Sequence, residues 1–161
     1  MVGEGGIFMN GITKTIMLVL GIALLFGAVS AAPAAPAAPA AKHLMLFEKN
    51  PADWTVVADG AWGKMMYKAD MFVFNGHGLI KDTDYALINY IDPWGANPQY
   101  ILLGEGSTNR GGNVNIAGTL PPLQTGTNAG AKVWLVLKSD IDGTKMTAWN
   151  PTEYLFEANL I

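Results

Sequence analysis

The chain contains no cysteine. That excludes a disulfide framework, an iron–sulfur cluster, a covalently attached haem and a lipid on a lipobox cysteine. An exported domain of this composition must hold together by its core alone. Charge is scarce as well, at 14% of residues, with 10 Lys plus Arg against 13 Asp plus Glu. The basic residues form no cluster, so a nucleic-acid partner lacks the electrostatic footprint it needs. The only histidines are His43 and His77, and a zinc site normally draws three or four N, S or O ligands. Past residue 41 the only serines are Ser107 and Ser139, and neither lies in a Gly-x-Ser-x-Gly turn. No amphipathic helix of ten or more residues is legible after Ala41.

What the chain does contain begins with Thr15–Val29, an uncharged apolar run directly preceded by Lys14. Val29-Ser30-Ala31 follows, with small side chains where a signal peptidase pocket must accept them. Residues 1–31 therefore read as a signal peptide cut after Ala31. The run is short for a membrane span, which needs about 20 apolar residues, although Ala31 and Ala32 leave an uncleaved anchor as the alternative. Either way the rest is expected to be secreted or held on the outer face of the cytoplasmic membrane. It would touch that membrane only through an uncleaved N-terminal segment.

Residues 32–41 repeat Ala-Ala-Pro. Proline at every third position removes backbone donors and fixes φ near the polyproline value, which suits a semi-rigid spacer of roughly 30 Å. Residues 42–161 then form one domain of ordinary size, able to close a core unaided. One basic and one acidic residue fall within residues 1–31, so 9 Lys plus Arg face 12 Asp plus Glu in the remainder.

From His43 onward, short apolar runs are cut by Gly, Pro, Asn and Asp, the rhythm of an all-β domain. Strands are expected at His43–Glu48, Trp54–Val57, Ala61–Tyr67, Met71–Asn75, Asp84–Ile91 and Gln99–Leu103. Further strands are expected around Val114–Ile116, at Lys132–Lys138 and at Glu153–Leu160. Leu120–Gly130, with Pro121-Pro122, reads as a long loop. Lys132–Lys138 is apolar between its lysines and suits a central strand covered on both faces. In Glu153–Leu160 the alternation places Tyr154, Phe156, Ala158 and Leu160 inward and Glu157 outward. Eight or nine strands at this spacing predict an antiparallel β-sandwich, with an open or closed barrel as the second architecture.

Several blocks carry a family resemblance. They are Glu48-Lys49-Asn50-Pro51 with Trp54, Ala61-Trp62-Gly63-Lys64, and Phe72-Val73-Phe74-Asn75-Gly76-His77-Gly78-Leu79. Tyr90-Ile91-Asp92-Pro93-Trp94, Gly111-Gly112-Asn113, Lys132-Val133-Trp134-Leu135-Val136-Leu137 and Trp149-Asn150-Pro151-Thr152-Glu153-Tyr154-Leu155-Phe156-Glu157 complete the set. In these the chain resembles an uncharacterised family of secreted β-domain proteins frequent in methanogenic archaea. The likeness spans nearly the whole domain and implies export, but it brings no activity with it. It also implies cysteines near Leu102 and Gly143 in relatives, which would set those two stretches side by side.

The candidate chemistry is thin. His77, between glycines in Asn75-Gly76-His77-Gly78, could serve as a general base, a metal ligand or a turn residue bonded to a backbone carbonyl. Asp140-Ile141-Asp142-Gly143 offers Asp140 and Asp142 to calcium, but it lacks the third acid and terminal Glu of a full binding loop. Asp residues starting a hydrated turn are the plainer reading. Among the five tryptophans, Trp134 sits in an apolar strand, whereas Trp62, Trp94 and Trp149 lie near turns. Rings at loop tips can stack on sugars or anchor in a partner's pocket.

These features predict an exported, non-catalytic module, structural, adhesive or ligand-binding. Its partner would be an extracellular protein or polysaccharide, with self-association through an edge strand as a further route. No cofactor is expected unless calcium binds. A carbohydrate-binding module using Trp62, Trp94 or Trp149 is the second reading, and a small hydrolase centred on His77 the third.

Overall fold

The computed structural model describes residues 40–161; the expected signal segment and residues 32–39 of the spacer lie outside these. Ten strands follow in order: β1 Lys42–Phe47, β2 Trp62–Lys68, β3 Met71–His77, β4 Asp84–Tyr90, β5 Tyr100–Ser107, β6 Val114–Thr119, β7 Lys132–Leu137, β8 Ile141–Asp142, β9 Lys145–Met146 and β10 Leu155–Glu157. Among the described residues, the only helical pieces are single 3-10 turns at Lys138–Asp140 and Pro151–Glu153. The domain is all-β, as expected.

Its architecture is not two packed sheets. Eight strands form one antiparallel sheet in the order β5-β4-β7-β10-β1-β2-β3-β6, nearly closed into a barrel, and β8 and β9 pair separately as a small hairpin. The register explains the difference. One series of facing residues runs round the interior, from Leu44 to Met65, Phe74 and Ile116. On the far side it continues from Gly104 to Leu87, Leu135 and Leu155. Side chains directly opposite in a ladder share a face, and every non-glycine member of the series is buried. A single curved sheet therefore buries its own inner face.

The seam lies between β5 and β6. A Cβ added at Gly104 would lie 2.6 Å from Ile116 Cγ2, and one at Gly106 would lie 3.0 Å from both Ile116 and Val114. The strand expected at Gln99–Leu103 therefore runs on through Gly104 and Gly106 to Ser107, because only glycine leaves room for the β6 side chains there.

Other expected strands change as well. Trp54–Val57 is not a strand; only an isolated bridge between Lys49 and Val56 forms there. Val114–Ile116 extends to Thr119. Glu153–Leu160 shrinks to the three residues of β10, because Pro151 opens a 3-10 turn and ladder pairing ends at Glu157. The alternation read there holds for buried Tyr154 and Phe156 and fails beyond them: Glu157 is 8% exposed and Leu160 42%. β7 lies between β4 and β10, with Val133–Leu137 buried without interruption. A sheet residue whose neighbours on both faces are covered has no wet side, so alternation vanishes.

The outer face of β7 and β10 is covered by residues between strands, Trp149 against Trp134 and Trp54 against Phe156. The β8–β9 hairpin lies against the start of β5, where Gln99 N donates to Thr144 O and the Tyr100 hydroxyl to Gly143 O, both at 2.9 Å. At the barrel end, buried Asn89 pins the loop that follows β6. Its Nδ2 donates to Gln124 O and Lys132 O at 3.0 Å, and its Oδ1 accepts from Gln124 N at 2.6 Å.

Candidate functional site: an aromatic surface over a lysine–glutamate cavity

A second row of facing residues crosses the outside of the sheet. It runs from Trp134 on β7 to Phe156 on β10, Phe47 on β1, Trp62 on β2 and His77 on β3. Three loop tryptophans are gathered at the Trp134 end. Trp149 is their hub, with ring centroids 6.4 Å from Trp54, 5.8 Å from Trp94 and 5.9 Å from Trp134. Trp54 meets Phe156 edge-on at 5.1 Å, and Trp134 stacks on Tyr90 at 3.9 Å. Trp134 is buried, whereas Trp54, Trp94 and Trp149 are 49%, 56% and 41% exposed.

Each exposed ring is held by a built loop. Around Trp54, Asn50 N donates to Thr55 O and Trp54 N to Asn50 O, both at 2.8 Å, while Asp53 Oδ1 accepts from Thr55 N and Oγ1. This turn places Trp54 at φ 59°. A bulky residue in the left-handed region is strained by roughly 1–2 kcal/mol, so its surroundings hold it there. Trp149 depends on buried Asp140: Asp140 O accepts from Thr147 N at 2.8 Å, and its Oδ2 accepts from Asn150 Nδ2 at 2.8 Å and the Tyr154 hydroxyl at 2.5 Å. Burial first, and then the Asp140 carboxylate, push the Tyr154 hydroxyl far above its ordinary range. Trp94 follows Pro93 in the β4–β5 connection, where Ala96 N donates to Pro93 O at 3.0 Å.

Beneath Trp54 lies a cavity of about 170 Å³ lined by Lys49, Trp54, Lys132, Trp134, Phe156 and Glu157. Lys49 Nζ donates to Glu157 O at 2.9 Å. Lys132 pairs with Asp92 at 2.5 Å and lies 5.7 Å and 5.9 Å from the Tyr90 and Trp134 ring centres. Burial works against the Asp92 charge, but hydrogen bonds from Lys132 and Asn128, with the Lys132 charge, outweigh it and hold that carboxyl below its usual range. Glu157 goes the other way. Burial pushes its carboxyl up to about 7, against the pull of its own backbone N–H, Lys49, Lys132 and the Trp134 indole. Glu157 Oε2 is buried without a hydrogen-bond partner.

The residues singled out in the sequence are thus divided. Trp94 and Trp149 meet in the patch, while Trp62 and His77 form a separate pair further along the row, with rings 4.5 Å apart. His77 Nδ1 is bonded to Asn113 Oδ1 at 2.8 Å, an amide and not a carboxylate. Asp140 is buried among the bonds described, and Asp142 is exposed opposite Lys145. Among the described residues no three His, Asp or Glu side chains gather as a metal site. Sequence reasoning missed Trp54 as a patch member, and Lys49, Lys132 and Glu157 altogether. A charge inside the apolar run Tyr154-Leu155-Phe156-Glu157 was the signal for the last.

The fold and patch define an all-β domain, one antiparallel sheet nearly closed into a barrel, with an exposed aromatic surface. No family model, curated protein or solved structure matches the chain.

Proposed function

We propose that this chain is an exported, non-catalytic binding module that holds polysaccharide at the cell surface through Trp54, Trp94 and Trp149. The observation behind this reading is the convergence of three half-exposed indoles on one another. Apolar surface left in water forgoes about 25 cal/mol per Å², and a contiguous exposed patch marks a docking surface. Sugar rings offer apolar faces that stack on indoles and hydroxyl edges that bond to polar neighbours. Trp94 and Trp149 meet at 80°, and Trp54 and Trp149 at 46°. Coplanar rings would suit a flat crystalline substrate; angled ones form a cleft for a single soluble chain.

Export is supported by the Lys14-led apolar run Thr15–Val29 and the small residues Val29-Ser30-Ala31 that follow. The non-catalytic reading is supported by the amide partner of His77. Kinship with the secreted archaeal family belongs to the same proposal. Affinity electrophoresis through gels containing soluble cell-surface polysaccharides tests it. At least one polysaccharide is expected to retard the protein, and Trp94→Ala and Trp149→Ala to abolish the retardation. Unchanged mobility across neutral and acidic polysaccharides would sink the reading.

A further inference from the structure

Building on that reading, we infer that the cavity beneath Trp54 is a subsite for one carboxylate-bearing sugar ring, a uronate, of an acidic polysaccharide. Its size supports a single ring: about 170 Å³ falls short of the roughly 300–1,000 Å³ of pockets for drug-sized ligands. Trp54, Trp134 and Phe156 supply apolar walls, with Trp54 and Trp134 each meeting Phe156 near edge-on at 82° and 76°.

The polar groups decide the charge of the occupant. An ammonium group has three donors, and Lys49 spends one of them on Glu157 O. Lys132 brings a second positive charge, shared with Asp92. These two lysines disfavour a cationic guest, although an aromatic box alone would welcome one. The charged groups facing Glu157 are Lys49, from the β1–β2 connection, and Lys132, from β7. With its proton on, the Glu157 carboxyl adds no negative charge beside the cavity that its residue lines. Two lysines, beside a carboxyl that carries no charge while protonated, then favour a sugar carboxylate. The chain as a whole carries a net charge of −3, so attraction to a polyanion must be local.

Calorimetric titration of the full chain with oligogalacturonate and oligoglucuronate, and with their methyl esters, is the test. The ester keeps the ring and removes the charge. The acid form of at least one is expected to bind at least tenfold tighter than its ester, and Lys49→Ala to reduce that preference to about twofold. Acid binding is expected to weaken about tenfold from pH 6 to pH 8, as Glu157 ionises beside the ligand, and to hold constant in Glu157→Gln. The acid-to-ester ratio and its pH dependence are read on the unaltered protein, so a variant that fails to fold does not remove the test. Equal binding of acid and ester, with loss in Trp94→Ala, would overturn the subsite and leave polysaccharide binding standing. An acid preference that survives both Lys49→Ala and Lys132→Ala would also overturn it. Binding of neither form would overturn the subsite, and failure with neutral polysaccharides as well would overturn the reading on which it rests.

Discussion

Replacing Glu157 by glutamine should stabilise the protein in alkaline solution and leave it unchanged in acid. Glu157 is 8% exposed, and burial raises its carboxyl from 4.5 to about 7. Between those values the folded chain keeps a proton that the unfolded chain has released. Its contribution is therefore complete below about pH 4.5 and drains away as pH rises through 7. At 1.36 kcal/mol per pH unit the whole loss is about 3 kcal/mol. Glutamine keeps the shape without the titration, and Lys49 keeps its bond to the Glu157 backbone carbonyl. Urea unfolding followed by tryptophan emission, from pH 5 to pH 8, reads the difference. Wild type and variant should agree near pH 5, and by pH 8 the variant should lead by about 3 kcal/mol, or about 10 °C in Tm. Parallel pH profiles for the two proteins, or a variant less stable at pH 8, would refute the assignment of Glu157 as a buried, raised acid.

The other expectations concern loops and close contacts. Trp54→Gly should unfold at higher urea than Trp54→Ala, by about 1 kcal/mol, because glycine relieves the left-handed backbone while both variants lose the ring. Asn89→Ala strands Gln124 N and two carbonyls. It should cost about 2–3 kcal/mol and speed proteolytic cleavage within residues 120–130. Gly63→Ala would place a Cβ 2.3 Å from Phe74 Cζ, and in a packed core it should cost about 1–3 kcal/mol by urea melt.

Much of the strand content was legible because period two is a property of the local sequence. Phe72 and Phe74 alternate with Met71, Val73 and Asn75 in β3, and both phenylalanines are buried as the pattern requires. Closure was not legible. It depends on Ile116 and Val114 lying over Gly104 and Gly106, strands that meet only after six others have paired. The strand expected at Trp54–Val57 gives way to a turn that starts at Asn50-Pro51. The bend begun there runs on through Asp53, so Trp54 becomes a turn residue and not the start of a strand. Trp94 and Trp149 announced themselves as turn residues, but their meeting depends on Asp140 holding one loop and the β4–β5 connection placing the other. Lysines 49 and 132 gave no local sign at all, since each reads as a solvated flank until Glu157 lies between them.

The claim that exposed loop indoles are the contact surface can be tested indole by indole. Five tryptophans give five Nε1–H signals in a nitrogen–proton correlation spectrum. Titration with a polysaccharide fragment is expected to shift the signals of Trp54, Trp94 and Trp149 together and to leave that of Trp62 in place. Movement confined to Trp62, or five unmoved signals at saturating fragment, would contradict it.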